Sequence, residues 1–179
     1  LKPKIQRGIY SLAGDPAARH DAFGLALVRR DGNKYICCGT YRFTPRLTKK
    51  KSRIDINPVK VKELIMKILK TIKIPRVVFD TWNYPLLQNE VRTLGVDVIN
   101  HVVKREDYDH FKGLCYSRKL RRSTASLVWS EFEQLKLINN RRVDHPKGGS
   151  KDVADAVVNA VWLLKEERKP VPLNVIKVF

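Results

Sequence analysis

The sequence lacks most of what would make it a membrane, secreted or zinc-binding protein. No apolar run approaches the ~18 residues needed to cross a bilayer. No basic amphipathic helix stands alone to lie on a membrane surface, and no stretch reads as a signal peptide. Only three cysteines occur, Cys37, Cys38 and Cys115. Their spacing suits no metal, and an adjacent pair on a strand points to opposite faces, so reduced structural thiols of a cytosolic protein are expected. The phosphate-cradling pattern Gly-x-x-x-x-Gly-Lys-[Ser/Thr] is missing, which excludes a P-loop nucleotide site. There is no internal repeat and no low-complexity linker, so 179 residues are read as one domain, 1–179. Acidic residues are scarce: 18 Asp and Glu face 36 Lys and Arg, a net charge of +18. That excess calls for a polyanionic partner, most simply nucleic acid.

Strands dominate the first part of the chain. Ile9 to Gly14, Ala22 to Val28 and Lys34 to Phe43 read as an antiparallel meander, with Asp31-Gly32-Asn33 turning between the last two. Arg46 to Arg53 is a basic loop. Asn57-Pro58 opens a helix whose face carries Val61, Leu64, Ile65, Ile68 and Leu69, and which Pro75 breaks. Arg76 to Asp80 is a continuously apolar strand, as a central buried position requires. Alternation follows: a helix from Tyr84 to Leu94 stopped by Gly95, a strand from Val96 to Val103, helices near 106–119 and 123–136, and a hairpin within Leu137 to Asp144. A last helix begins after Gly148 and Gly149, with Ser150 as its N-cap, and ends near Glu167; the tail 168–179 is extended. The order predicts an α/β fold: a mixed sheet of three antiparallel strands, then parallel strands, with helices on both faces.

The few acids are informatively placed. Asp152 and Asp155 lie three apart on the last helix, whose apolar face carries Val153, Val157, Ala160, Val161 and Leu164, so both carboxylates share one side of its first turns. They either complement the helix dipole in solvent or repel each other until a divalent cation joins them. Asp15 closes the first strand and Asp80 the fourth. Each alone suits a turn, yet strand ends are where ligand-binding groups collect in α/β sheets. If those strands are neighbours and the last helix packs across them, four carboxylates meet. That donor set suits two Mg²⁺ or Mn²⁺ ions. Basic residues form further groups: Arg46, Lys49, Lys50, Lys51 and Arg53; Arg118, Lys119, Arg121 and Arg122; and Arg141 with Arg142. They are expected to contact phosphates of double-stranded DNA without reading its sequence. Lys147 and Lys151 flank the acidic helix start, where they either hold phosphates or stay solvated. His145 is an accessory candidate just before the glycine turn. Trp82, Trp129 and Trp162 are expected to pack in the core, and Asp21 to open a strand.

Asp152-Val-Ala-Asp155-Ala156 resembles the terminal motif of the RuvC branch of the ribonuclease H-like superfamily. The longer run Val143 to Val161 resembles the C-terminal nuclease domain of the large terminase subunit of tailed bacteriophages. Gly14-Asp15-Pro16-Ala17 with Asp21 resembles that family's first motif, and Val77-Val-Phe-Asp80 its second. The resemblance spans roughly residues 5 to 165. It implies a ribonuclease H-like fold and a metal-dependent endonuclease that cuts concatemeric phage DNA by two-metal phosphodiester hydrolysis, leaving 5′-phosphate and 3′-hydroxyl ends. It further implies Asp15, Asp80, Asp155 and, with more variation among relatives, Asp152 as metal ligands. The implied partners are an ATPase domain in a longer protein, the small terminase subunit and the phage portal, with no membrane, in the cytoplasm of an infected host. A RuvC-type junction resolvase and a non-catalytic DNA-binding module are the alternatives.

Overall fold

In the computed structural model, alternation of apolar residues sets the sheet and the sheet sets everything else. The structure describes residues 7–16, 22–45, 56–80, 85–121, 126–139 and 141–166. The basic loop 46–53, Asp21, Trp82, Arg122 and the tail 168–179 lie outside them. Strands β1 (Ile9–Pro16), β2 (Phe23–Asp31) and β3 (Lys34–Phe43) form the antiparallel meander, joined between the last two at Gly32, φ +58°. Helix α1 (Pro58–Thr71) follows, capped by the Asn57 side chain, which accepts from the Val59 N–H at 3.0 Å. Then come β4 (Arg76–Phe79), α2 (Pro85–Thr93), β5 (Asp97–Asn100), α3 (Arg105–Tyr116), β6 (Leu120–Arg121), α4 (Ser126–Gln134), the hairpin strands β7 (Lys136–Ile138) and β8 (Arg142–Asp144), and α5 (Asp152–Glu166).

The main sheet has the order β5-β4-β1-β2-β3-β6. β4 pairs in parallel with β1, and β5 with β4. Strand alternation splits the core into two layers. Leu12, Phe23, Leu25, Val77 and Phe79 face α1 and α2, where Val61, Ile65, Leu87 and Val91 meet them. Ala13, Ala26, Val28 and Val78 face the other way, onto α3, α4 and α5. This is the ribonuclease H-like architecture: a mixed sheet between helices. Among the described residues no helix is long and apolar enough to cross a membrane.

Four local expectations change. β5 is shorter than the predicted Val96–Val103 strand, because the edge of the sheet offers it only β4 as a partner. β6 was not foreseen; two residues give no readable period, and it exists because β3 offers its free edge to Leu120 and Arg121. Ser150 is not itself the N-cap: the first intrahelical bond runs from the Asp155 N–H to the Lys151 carbonyl at 2.7 Å, and Ser150 reaches in from one position earlier, its hydroxyl 3.4 Å from the Asp152 N–H. Helix α5 is not amphipathic. It is buried from Asp152 to Val161, because β1 and β2 cover one side and α3 and α4 the other. Cys37 is buried and Cys38 exposed, the opposite-face arrangement expected.

Candidate active site

The site forms where β1, β4 and the start of α5 come together. Asp15 lies on the same face of β1 as Ala13, and Asp80 follows Val78 by two, so both project toward α5 by simple alternation. Parallel pairing brings Gly14 opposite Phe79, and the Asp80 N–H donates to the Gly14 carbonyl at 3.2 Å, which sets the two acids side by side. Helix α5 reaches them because β2 has a gap. Gly24 pairs with Asp15 across the sheet, and a Cβ there would stand 2.0 Å from the Asp152 carbonyl oxygen. The missing side chain lets the first turn of α5 lie directly on the strand. The Ala22 N–H then donates to Asp152 Oδ2 at 3.2 Å.

Electrostatics mark the cluster. Asp15 is 7 % exposed, and its carboxyl is held well above the ordinary range, first by burial and then by the charges of Asp155, Asp152 and Asp80. Asp155, 4 % exposed, is also raised by burial and by Asp80, although Lys151 and a hydrogen bond from the Tyr108 hydroxyl oppose this. Burial also raises the Tyr108 hydroxyl, with Asp155 adding to it. Lys151 Nζ lies 2.8 Å from Asp155 Oδ2. Burial works against its charge, but Asp155, Asp15 and Asp144 outweigh that and raise it. Four carboxylates thus share one field within a chain of net charge +18.

Three contributors escaped the sequence reading. Glu131 on α4 is 4 % exposed; its Oε2 accepts from the Ala154 N–H at 2.8 Å and its Oε1 from the Ser150 hydroxyl at 3.3 Å. It therefore caps the first turn of α5 from another helix. Arg42 of β3 stands 3.7 Å from the same carboxylate. Tyr108 of α3 ties Asp155 in place. A buried acid or tyrosine on an amphipathic helix resembles any boundary residue in sequence, so no local signal singled these out. Glu131→Ala is expected to destabilise the domain by about 1–3 kcal/mol, since it leaves the buried Ala154 N–H unpaired. Glu131→Gln keeps an acceptor and should lose less. Urea denaturation compares them, and equal losses would show that the carboxylate's charge rather than its cap matters.

The remaining candidates are spread more widely. Lys147 is exposed in the turn before α5. His145 Nδ1 faces the Pro146 carbonyl at 2.9 Å and its Nε2 lies 3.9 Å from Asp144 Oδ1, so the ring sits at the rim beside Asp144. Arg142 is ion-paired with Asp144. Arg118, Lys119 and Arg121 are exposed, but Tyr35 of β3 pairs with Leu120 and with Arg30 of β2, and Arg30 in turn pairs with Ile9 at the start of β1. That cluster is at the far end of the sheet, on the order of 20 Å from Asp15 at ~3.3 Å per residue. Trp129 packs with Phe111 and Phe132, and Trp162 stacks on His101 at 3.8 Å. A cavity of about 470 Å³ between α3, α4 and the β7–β8 hairpin is lined by Phe111, Trp129 and Phe132, with Asp109, Glu133 and Lys112 also on its wall; it shares Tyr108 with the acidic site but contains none of the four candidate acids.

The donor chemistry fits divalent cations. All four acids supply hard oxygen ligands, and Lys151 already stands in as a positive charge at Asp155. Among the described residues no group of three or more His, Cys, Asp or Glu is arranged to hold an ion as it stands. In this arrangement Asp155 is engaged by Tyr108 and Lys151, and Asp152 Oδ2 by the Ala22 N–H and the Ser150 hydroxyl.

No family model matches the sequence, and neither does any curated protein. Solved structures do match. The large terminase nuclease from thermophilic phage G20c superposes with a TM-score of 0.69 at 13% identity, over 87% of this chain and 82% of that one. The human cytomegalovirus terminase nuclease domain, in a manganese-soaked and inhibitor-bound crystal, gives 0.60 at 14% identity, over 87% and 83%. The bacteriophage HK97 large terminase gives 0.65 at 13% identity; the match takes in 87% of this chain but only 39% of the HK97 chain, so the present chain corresponds to about two-fifths of that protein. At such identities the likeness shows a shared fold, that of terminase nuclease domains.

Proposed function

We propose that this chain is the metal-dependent nuclease domain of a tailed-phage terminase, cutting double-stranded DNA with little sequence preference. The observation that carries the reading is the convergence of Asp15, Asp152 and Asp155, all buried, with the half-buried Asp80 at one end of the sheet, their charges acting together on Asp15 in a strongly basic chain. The fold shared with terminase nucleases agrees with it. Asp15, Asp80 and Asp155, with Asp152 beside them, would hold two Mg²⁺ or Mn²⁺ ions. When bound, such ions activate water and stabilise the leaving oxygen of a phosphodiester. The chain's own groups do the rest. Glu131 and Ser150 fix the first turn of α5, Tyr108 holds the orientation of Asp155, and Gly24 lets the start of α5 lie against β2 beside the strand acids. In a longer protein this domain would work with an ATPase domain, a small subunit and a portal, in the cytoplasm of the infected host.

The topology also suggests where DNA lies. β3 ends at Phe43, opposite Phe23 and next to Arg42, at the acidic end of the sheet. The sequence runs from there into Arg46, Lys49, Lys50, Lys51 and Arg53, whereas Arg118, Lys119 and Arg121 sit at the other end. Each duplex phosphate contact adds about −0.9 to the slope of log affinity against log salt. Replacing Lys49, Lys50 and Lys51 with alanine should therefore flatten the slope by up to roughly two to three units, equally on unrelated sequences. An unchanged slope would move the DNA path off this segment. The test of the function itself is incubation with supercoiled plasmid and with a four-way junction, in Mg²⁺, in Mn²⁺ and in EDTA. Cleavage of plasmid only with metal supports the reading. Preference for the junction would favour a resolvase, and tight binding without any cleavage a non-catalytic module.

A further inference from the structure

Resting on that nuclease reading, we propose that Lys151 is a built-in counter-cation that must leave Asp155 before the site takes up a divalent ion, and that a DNA phosphate is what draws it away. Lys151 Nζ is 2.8 Å from Asp155 Oδ2. A divalent ion would need to lie about 2.0–2.6 Å from a carboxylate oxygen of the same group. Asp155 Oδ1 already accepts from the Tyr108 hydroxyl, so ammonium and metal compete for Oδ2. The lysine is well placed for the exchange. It stands at the cap position before α5, is partly exposed, and carries a flexible four-carbon stem. It is held by more than one charge, since Asp15 and Asp144 also act on it. Asp144 is a weak alternative host, because the Arg142 side chain and the His145 N–H at 3.0 Å already occupy it. A phosphate oxygen accepts the same charge-assisted hydrogen bond and arrives only with substrate.

Two consequences follow from linkage. Duplex and metal should each tighten the other's binding by the same factor, in the range of roughly 5–150-fold. An uncharged residue at this position should raise metal affinity in the absence of DNA and remove the coupling. A lysine that merely orders the helix start would do the opposite, since its loss would loosen Asp155 and weaken metal binding.

The experiment is a Mn²⁺ titration followed by electron paramagnetic resonance, which reads free ion without relying on cleavage. Wild type, Lys151→Met and Lys151→Gln are each titrated with and without a short phosphorothioate duplex, and circular dichroism checks their folding. Wild type should bind Mn²⁺ more tightly once duplex is present. Lys151→Met should bind about tenfold more tightly than wild type without DNA and gain nothing further from it. Equal or weaker binding by folded Lys151→Met and Lys151→Gln overturns the proposal while leaving the nuclease reading intact. If neither variant folds, the wild type decides alone: no tightening by duplex overturns it. Absence of Mn²⁺ binding by every protein, with or without duplex, overturns both.

Discussion

Asp80→Asn is expected to lower plasmid cleavage in Mg²⁺ or Mn²⁺ by more than about 100-fold, a larger loss than outer-shell partners of a metal produce. The amide keeps the size of the side chain and removes the charge that a hard cation requires. The fold should survive. The backbone of Asp80 is tied to the sheet through its N–H on the Gly14 carbonyl, which the substitution leaves alone. Its charge contributes to holding Asp15 and Asp155 above their ordinary range, so removing it relieves repulsion in the metal-free protein. The melting temperature without metal should stay level or rise. Saturating Mn²⁺ at about 100 times its Kd adds about 2.7 kcal/mol per site to a protein that binds it only when folded, or roughly 5–10 °C at this chain length. Asp80→Asn should forfeit most of that gain, and without metal it should bind duplex as wild type does. Unchanged cleavage would remove Asp80 from the site, and a lost melting transition would make its role structural.

Gly24→Ala should cost more stability than any other glycine substitution in the sheet. The added Cβ would stand 2.0 Å from the Asp152 carbonyl oxygen, 2.3 Å from its carbon and 2.7 Å from the Val153 nitrogen. All three are backbone atoms, so no rotamer change relieves the clash, and α5 or β2 must move by more than an ångström or so to restore ordinary contact. Overpacking costs about 1–3 kcal/mol, and the displacement also threatens the Ala22–Asp152 and Glu131–Ala154 hydrogen bonds, each about 1–3 kcal/mol when a buried partner is stranded. A loss of about 3 kcal/mol or more is expected, a fall in Tm of roughly 6–12 °C. Gly14→Ala serves as the control. Its Cβ would meet Phe79 and Phe23 ring atoms at 2.7–2.9 Å, side chains that can turn aside, so its loss should be smaller. If urea melts rank the two alike, α5 does not lie as close to β2 as the geometry requires.

The division of labour between local and distant information is clear in these residues. Asp15 and Asp80 were legible as strand-end acids that would lie side by side if their strands were neighbours; the structure adds that Ala13 and Val78, two positions before them, face α5. Asp152 and Asp155 were legible as neighbours on one helix. The meander, the helix beginning at Asn57-Pro58 and the hairpin followed from turn residues and caps, which act within a few positions. Less was legible at α5. Its apolar run read as the single core-facing side of an amphipathic helix, because burial on the second side comes from α3 and α4, which no periodicity within α5 records.

The sequence by itself determined which residues are polar at element ends, which face of each strand they share, and that the chain is basic enough for a polyanion. These depend on local spacing and composition, which are read residue by residue. Tertiary structure alone decided that β4 lies beside β1, that Gly24 opens a gap for a carbonyl contributed from far along the chain, that Glu131 caps a helix it does not belong to, and that Lys151 turns inward to Asp155 rather than outward. The Ala22–Asp152 bond spans 130 positions of sequence. Such contacts form only when the whole core closes, because each is worth too little to specify itself and is selected by the packing around it.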